Sequence, residues 1–237
     1  MEIDSVHFYV SNAHKTSGWF VNYLGFAVVD RYQDAQNFTV AVACTSVLLV
    51  ISSPLQNKGL VADYLKKHAE GVVDISFRVQ DLQALVLKQK SCFRDICFQN
   101  IRQDKQVLFC LISGWGSLRH TLLTTKLVRG CYSLPSGDLR IIPAAKQVKD
   151  LHSIRSPLQF TQIDHVVLNV AKENLTTAVN YYQNLFDWQV QQTFQIATQN
   201  SGLSSQALID ASGQVQFNIN EPTTANSQIQ ELSLIHI

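Results

Sequence analysis

The sequence predicts an α+β protein built from repeated βαβββ modules that form curved mixed sheets. A segment near the start, Ile3-Asp4-Ser5-Val6-His7-Phe8-Tyr9-Val10, recurs late in the chain as Ile163-Asp164-His165-Val166-Val167-Leu168-Asn169-Val170. Each copy reads as a strand with apolar residues on one parity, and each leads through a polar linker into an amphipathic, aromatic-rich helix. A third copy of the pattern begins at Gly71.

In the first module the alternation Val6, Phe8, Val10 defines the opening strand. The helix follows over roughly Lys15 to Leu24 with Trp19, Phe20 and Tyr23, and a strand then opens on Phe26. Strands Phe38–Ala43 and Val47–Ser52 complete the unit. The middle copy is read as strand Val73–Val79, helix Leu82–Lys90 and strands Val107–Ser113 and Arg119–Leu123, with Gly71 permitting a turn before the first strand. The late copy has helix Leu175–Leu185, a strand opening on Trp188, and strands Ser204–Asp210 and Gln214–Asn220. Ser136 to Pro157, rich in proline and charge, is the expected linker. Residues 1–150 are therefore expected to form one paired-module domain, and 158–237 the first part of another.

Composition limits the function classes. The chain has 237 residues, 46% hydrophobic and 16% charged, which suits a folded chain rather than a disordered one. The net charge of +1 offers no global argument for nucleic acid or an anionic membrane. That balance conceals an asymmetry: from Leu158 onward Asp164, Glu173, Asp187, Asp210, Glu221 and Glu231 face a single base, Lys172. The acidic start and the short apolar runs predict neither a targeting peptide nor a membrane span. Five cysteines with no CxxC pair suggest a reduced, cytoplasmic protein. No GxGxxG, GxxxxGK[ST] or GxSxG occurs, so nucleotide binding and serine hydrolysis have no motif support.

The unit and its order resemble the vicinal oxygen chelate superfamily, and more closely the 4-hydroxyphenylpyruvate dioxygenase family. The resemblance rests on Val10-Ser11-Asn12, Asn22-Tyr23-Leu24-Gly25-Phe26 and the run from His68 to Asp81, continuing to His120-Thr121-Leu122. Later it rests on Ile163-Asp164-His165, Ser201-Gly202-Leu203-Ser204-Ser205, Asn218-Ile219-Asn220-Glu221-Pro222 and Ser227-Gln228-Ile229-Gln230. It implies an Fe(II) enzyme whose metal is held by two His and one Glu. Its substrates would be an aromatic 2-oxo acid and O2, the keto acid supplying two electrons. The implied products are homogentisate and CO2; a hydroxymandelate synthase-like reaction and an inactive, non-enzymatic paralogue are the alternatives. No nucleic-acid or membrane partner is implied, and self-association through the N-terminal part is.

His165 matches the family's first iron ligand; taken alone, a strand histidine would more often be a structural, hydrogen-bonded one. The matching position in the first module is Ser5, so that half is expected to be non-catalytic. Ser205 and Asn220 match residues around the substrate's keto-acid end, and Gln228 matches a residue that orients the pocket. Bottom-up, Gln214, Gln216, Asn218 and Asn220 form a polar row backed by Val215, Phe217 and Ile219, which fits either a pocket wall or a solvated face. At Asn218 many family members carry an apolar residue or proline. His68 and His120 are expected to be structural. The family's second His and Glu come from a further module, whereas this chain runs out through Glu231 to Ile237 with His236 near its end. The expectation is an incomplete form with the last module missing, inactive alone.

Overall fold

The computed structural model describes residues 1–92, 102–104, 107–124, 130–142, 158–197, 201–224 and 227. The first module comprises β1 (Glu2–Tyr9), α1 (Ala13–Leu24), β2 (Ala27–Gln33), β3 (Asn37–Cys44) and β4 (Val47–Pro54). After α2 (Leu60–Leu65), the second has β5 (Gly71–Arg78), α3 (Leu82–Cys92), β6 (Arg102–Asp104), β7 (Val107–Ser113) and β8 (Arg119–Thr124). A hairpin of β9 (Cys131–Ser133) and β10 (Leu139–Ile141) precedes the third module, β11 (His165–Asn169), α4 (Leu175–Phe186), β12 (Gln189–Ala197), β13 (Gly202–Ile209) and β14 (Gln216–Pro222). The expected elements are present, with ends displaced by a residue or two. Two details differ. Gly71 is the first residue of β5 and is not among the positive-φ glycines. Residues 139–141, inside the expected linker, form a strand because Leu134, Leu139 and Ile142 have an apolar surface to cover.

The chain separates into two compact units, one of residues 1–2, 87–92 and 164–237, the other of residues 3–86 and 93–163. The first two modules share an eight-stranded sheet in the order β2-β3-β4-β1-β5-β8-β7-β6, and the third forms a four-stranded sheet, β11-β14-β13-β12. Helix α1 starts where the Asn12 side chain accepts a hydrogen bond from Lys15 N at 2.9 Å. It ends at Gly25 with φ 71, a left-handed turn that costs glycine little. Helix α4 buries Leu175, Ala178, Val179, Tyr182, Leu185 and Phe186, a continuous stripe at helical spacing. Tyr182 packs against Phe217 and Trp188 with ring centroids 4.7 and 5.9 Å away, which ties α4 to the back of its sheet.

Backbone register makes the repeat a structural identity. Val10 N donates to Ser52 O at 3.0 Å, Val79 N to Leu123 O at 2.9 Å and Val170 N to Asn220 O at 2.8 Å. Each bond follows a parallel pair: Tyr9↔Ser52, Arg78↔Leu123 and Asn169↔Asn220. Counting back from Val10, Val79 and Val170 places Ser5, Asp74 and His165 at one address on the three opening strands. The bulge between Val28 and Asp30 in β2 recurs between Val190 and Gln192 in β12.

Candidate metal and substrate site

The third module brings its polar residues to one face. His165 pairs with Gln216 and Asn169 with Asn220, while Ser205 also pairs with Asn220 and Ala207 with Asn218. Cross-strand partners share a face, so His165, Asn169, Ser205, Gln216, Asn218 and Asn220 line one side. Their neighbours Val215, Phe217 and Ile219 are fully buried on the side covered by α4. The sequence-read alternation is therefore real, although Gln214 precedes β14 and is exposed.

Electrostatically the face is neutral and amide-rich. Asn220 Nδ2 donates to Asn169 Oδ1 at 3.4 Å, and Gln216 Nε2 to Asn218 Oδ1 at 3.3 Å. Ser205 is 6% exposed, whereas the His165 side chain is 43% exposed. His165 Nδ1 lies 2.8 Å from Asp164 Oδ2; donation to that carboxylate fixes the tautomer and leaves Nε2 with a lone pair. Among the described residues no group of three or more His, Cys, Asp or Glu could hold a metal ion. His165 fits as one nitrogen donor, and the described residues do not complete a three-donor set. Gln228 and His236 lie outside the described residues.

The first module shows what the same face looks like when it is closed. Its equivalents of Ala207, Gln216 and Asn218 are Ala41, Leu48 and Val50, and these pack under Tyr132, Leu134 and Ile142 of the β9–β10 region. Equivalent to Ser205 and Asn220 are Thr39 and Ser52, buried and 2.7 Å apart through their hydroxyls, with His7 Nε2 2.8 Å from Ser52 Oγ. Burial drives the His7 imidazole down to about 3, helped by the nearby Arg119 cation. At the Ser5 address of the second module, Asp74 accepts from Arg119 Nε at 2.6 Å, Thr121 Oγ1 at 2.7 Å and Thr121 N at 3.1 Å. His120 is completely buried with Nδ1 3.1 Å from Ile75 O, and His68 stacks on Tyr64.

Two apolar side chains on the site face escaped the sequence reading, Phe194 and Ile196, 36% and 53% exposed; Val167, on the face that its parity with His165 gives it, is 46% exposed. Phe194 pairs with Ser205 and Ile196 with Leu203, so both join the His165 side. The bulge in β12 sets that parity, and no residue type in the strand announces it.

The paired-module architecture is the vicinal oxygen chelate fold. The structure superposes on a mutant 4-hydroxymandelate synthase from Streptomyces coelicolor with a TM-score of 0.79 and 20% identity, covering 99% of this chain and 67% of that one. It also matches a xylose isomerase-like TIM barrel/4-hydroxyphenylpyruvate dioxygenase fusion protein, with a TM-score of 0.66, 17% identity, and coverage of 97% and 33%. In sequence the chain is similar to 4-hydroxyphenylpyruvate dioxygenases. It is 27% identical to that enzyme of Dictyostelium discoideum (96% of this chain, 64% of the relative) and 28% identical to that of Caenorhabditis briggsae (96% and 60%). An uncharacterized protein of Synechocystis sp. is 32% identical over 97% of this chain and 62% of its own length. The chain thus spans about three fifths of the curated relatives it matches. No family model matches it.

Proposed function

We propose that this chain is part of an Fe(II)-dependent dioxygenase that converts 4-hydroxyphenylpyruvate and O2 to homogentisate and CO2. The observation that carries the proposal is the convergence of His165, Ser205 and Asn220 on one open sheet face. Bound iron would supply a centre at which a 2-oxo acid and O2 react. In this reading the Nε2 atom of His165 is one of its ligands, oriented through Nδ1 by Asp164. The Ser205 hydroxyl and the Asn220 amide hold the keto-acid end by hydrogen bonds, and Gln228 orients the pocket. Val167, Phe194 and Ile196 supply apolar surface for the aromatic ring.

Metal titration separates this reading from a purely structural role for His165. The wild-type chain is expected to bind Co(II), a spectroscopic substitute for Fe(II), and His165→Ala to lose that binding. Equal Co(II) affinity in both proteins overturns the metal assignment. The reaction is tested on the enzyme of which this chain is proposed to be part, supplied with Fe(II), 4-hydroxyphenylpyruvate and O2: homogentisate is expected, lost in His165→Ala, and hydroxymandelate in its place overturns the stated product.

A further inference from the structure

Gln216 is the cross-strand partner of His165, and Asn218 follows it along β14 on the way to Asn220. The matching bonds at Val79 and Val170 put Arg119 and Thr121 of the second module at the same two addresses. There both side chains reach the group at the His165 address: Arg119 Nε donates to Asp74 Oδ2 at 2.6 Å, and Thr121 Oγ1 donates to the same oxygen at 2.7 Å. In the first module that group is the small Ser5, and the two addresses hold Leu48 and Val50, buried under the β9–β10 region. Donors stand at these addresses where a carboxylate must be held, and apolar side chains where none is.

The third module carries two amides there, on an open face. Gln216 Nε2 donates to Asn218 Oδ1 at 3.3 Å, the one side-chain hydrogen bond of either residue among the described residues. It leaves both N–H groups of the Asn218 amide and one of the Gln216 amide unspent. Neither residue bonds His165, whose Nδ1 turns to Asp164. Nothing on the four strands opposes an anion: their one acid, Glu221, accepts from Leu175 N at 3.1 Å, at the start of α4.

We propose that Gln216 and Asn218 determine specificity by hydrogen-bonding the carboxylate of the 2-oxo acid. The proposal rests on the assignment of this face to 4-hydroxyphenylpyruvate and deepens it. A ligand reaching from His165 to Asn220 passes over Asn218, so the unspent amide N–H groups lie along its path. The second module displays the same contact in covalent form: its carboxylate, Asp74, stands on the opening strand and is gripped by donors from the neighbouring one. Arg119 holds Asp74 as a permanent ion pair, whereas neutral amides grip an oxyanion more weakly, which suits a ligand that must leave.

The test is titration calorimetry without O2 on the Fe(II)-loaded enzyme of which this chain is proposed to be part. Two ligands are compared: 4-hydroxyphenylpyruvate, and 4-hydroxyphenylacetone, which has a methyl group in place of the carboxylate. Gln216→Leu and Asn218→Val each introduce a residue that the first module accommodates at that address. Each variant is expected to bind the keto acid about tenfold more weakly and the ketone unchanged. Undiminished keto-acid affinity in both variants overturns the proposal, and so does an equal loss for both ligands, the mark of a packing effect; either result leaves the assignment of the face intact. A wild-type enzyme that binds no keto acid overturns that assignment and this proposal with it. The side-chain amide resonances of Gln216 and Asn218 in the Zn(II)-loaded wild type are a readout that no misfolded variant can obscure. They should shift on addition of 4-hydroxyphenylpyruvate, and resonances that stay fixed overturn the proposal.

Discussion

Asp74 and His7 show how much of the first two modules' stability rests on single buried polar groups. Asp74 is fully buried against Arg119, so Asp74→Ala leaves a largely buried guanidinium uncompensated and is expected to cost about 3–5 kcal/mol, read by urea denaturation. His7 and His120 are held neutral, at about 3 and about 4 against an ordinary 6.5, chiefly by burial. Their folded-state values lie below the unfolded one, so the unfolded chain takes up protons first as pH falls. The stability they contribute is complete above pH 6.5 and is lost progressively toward pH 4, at roughly 1.4 kcal/mol per unit for each ring. Denaturation midpoints measured from pH 7 to 4.5 should fall, and His7→Asn should flatten that slope. At the candidate site, Asn220→Ala should weaken substrate binding by about tenfold, the worth of one hydrogen bond to a charged group, with little loss of stability because Asn220 is half-buried.

Elements were legible where a period or a punctuating residue marks them. The stripe of α4 is visible in sequence at helical spacing, and the Trp188 that follows is 1% exposed in the structure. Trp188→Ala is accordingly expected to cost about 3–5 kcal/mol. Asn12 and Gly25 bracket α1; Gly25→Ala, forced to keep φ 71, should cost about 1–2 kcal/mol in a thermal melt. The β9–β10 hairpin was not legible, because its residues alternate weakly and a Pro-rich stretch adjoins it. Its strands form to cover the inner face of the first module, a tertiary demand with no local signature. The same holds for β12, whose bulge turns Phe194 and Ile196 onto the site face.

At the scale of the molecule, the repeat was readable because strand parity and aromatic positions recur, and the register of the three opening strands confirms it bond by bond. The candidate site was half legible. His165 could be placed on the face opposite the helix from parity alone, but singling it out from other strand histidines required a family resemblance. The openness of that face was not legible at all, since it depends on what covers a sheet rather than on the sheet. The modules amount to a natural substitution series at one backbone address. The first holds a shielded serine, the second a carboxylate neutralised by arginine, and the third an imidazole reachable from solvent. One strand geometry tolerates all three. Whether a group at this address meets solvent is therefore decided by what covers it, and a histidine placed at Ser5 or Asp74 would stay shielded for as long as the β9–β10 cover and the Arg119 clamp remain in place.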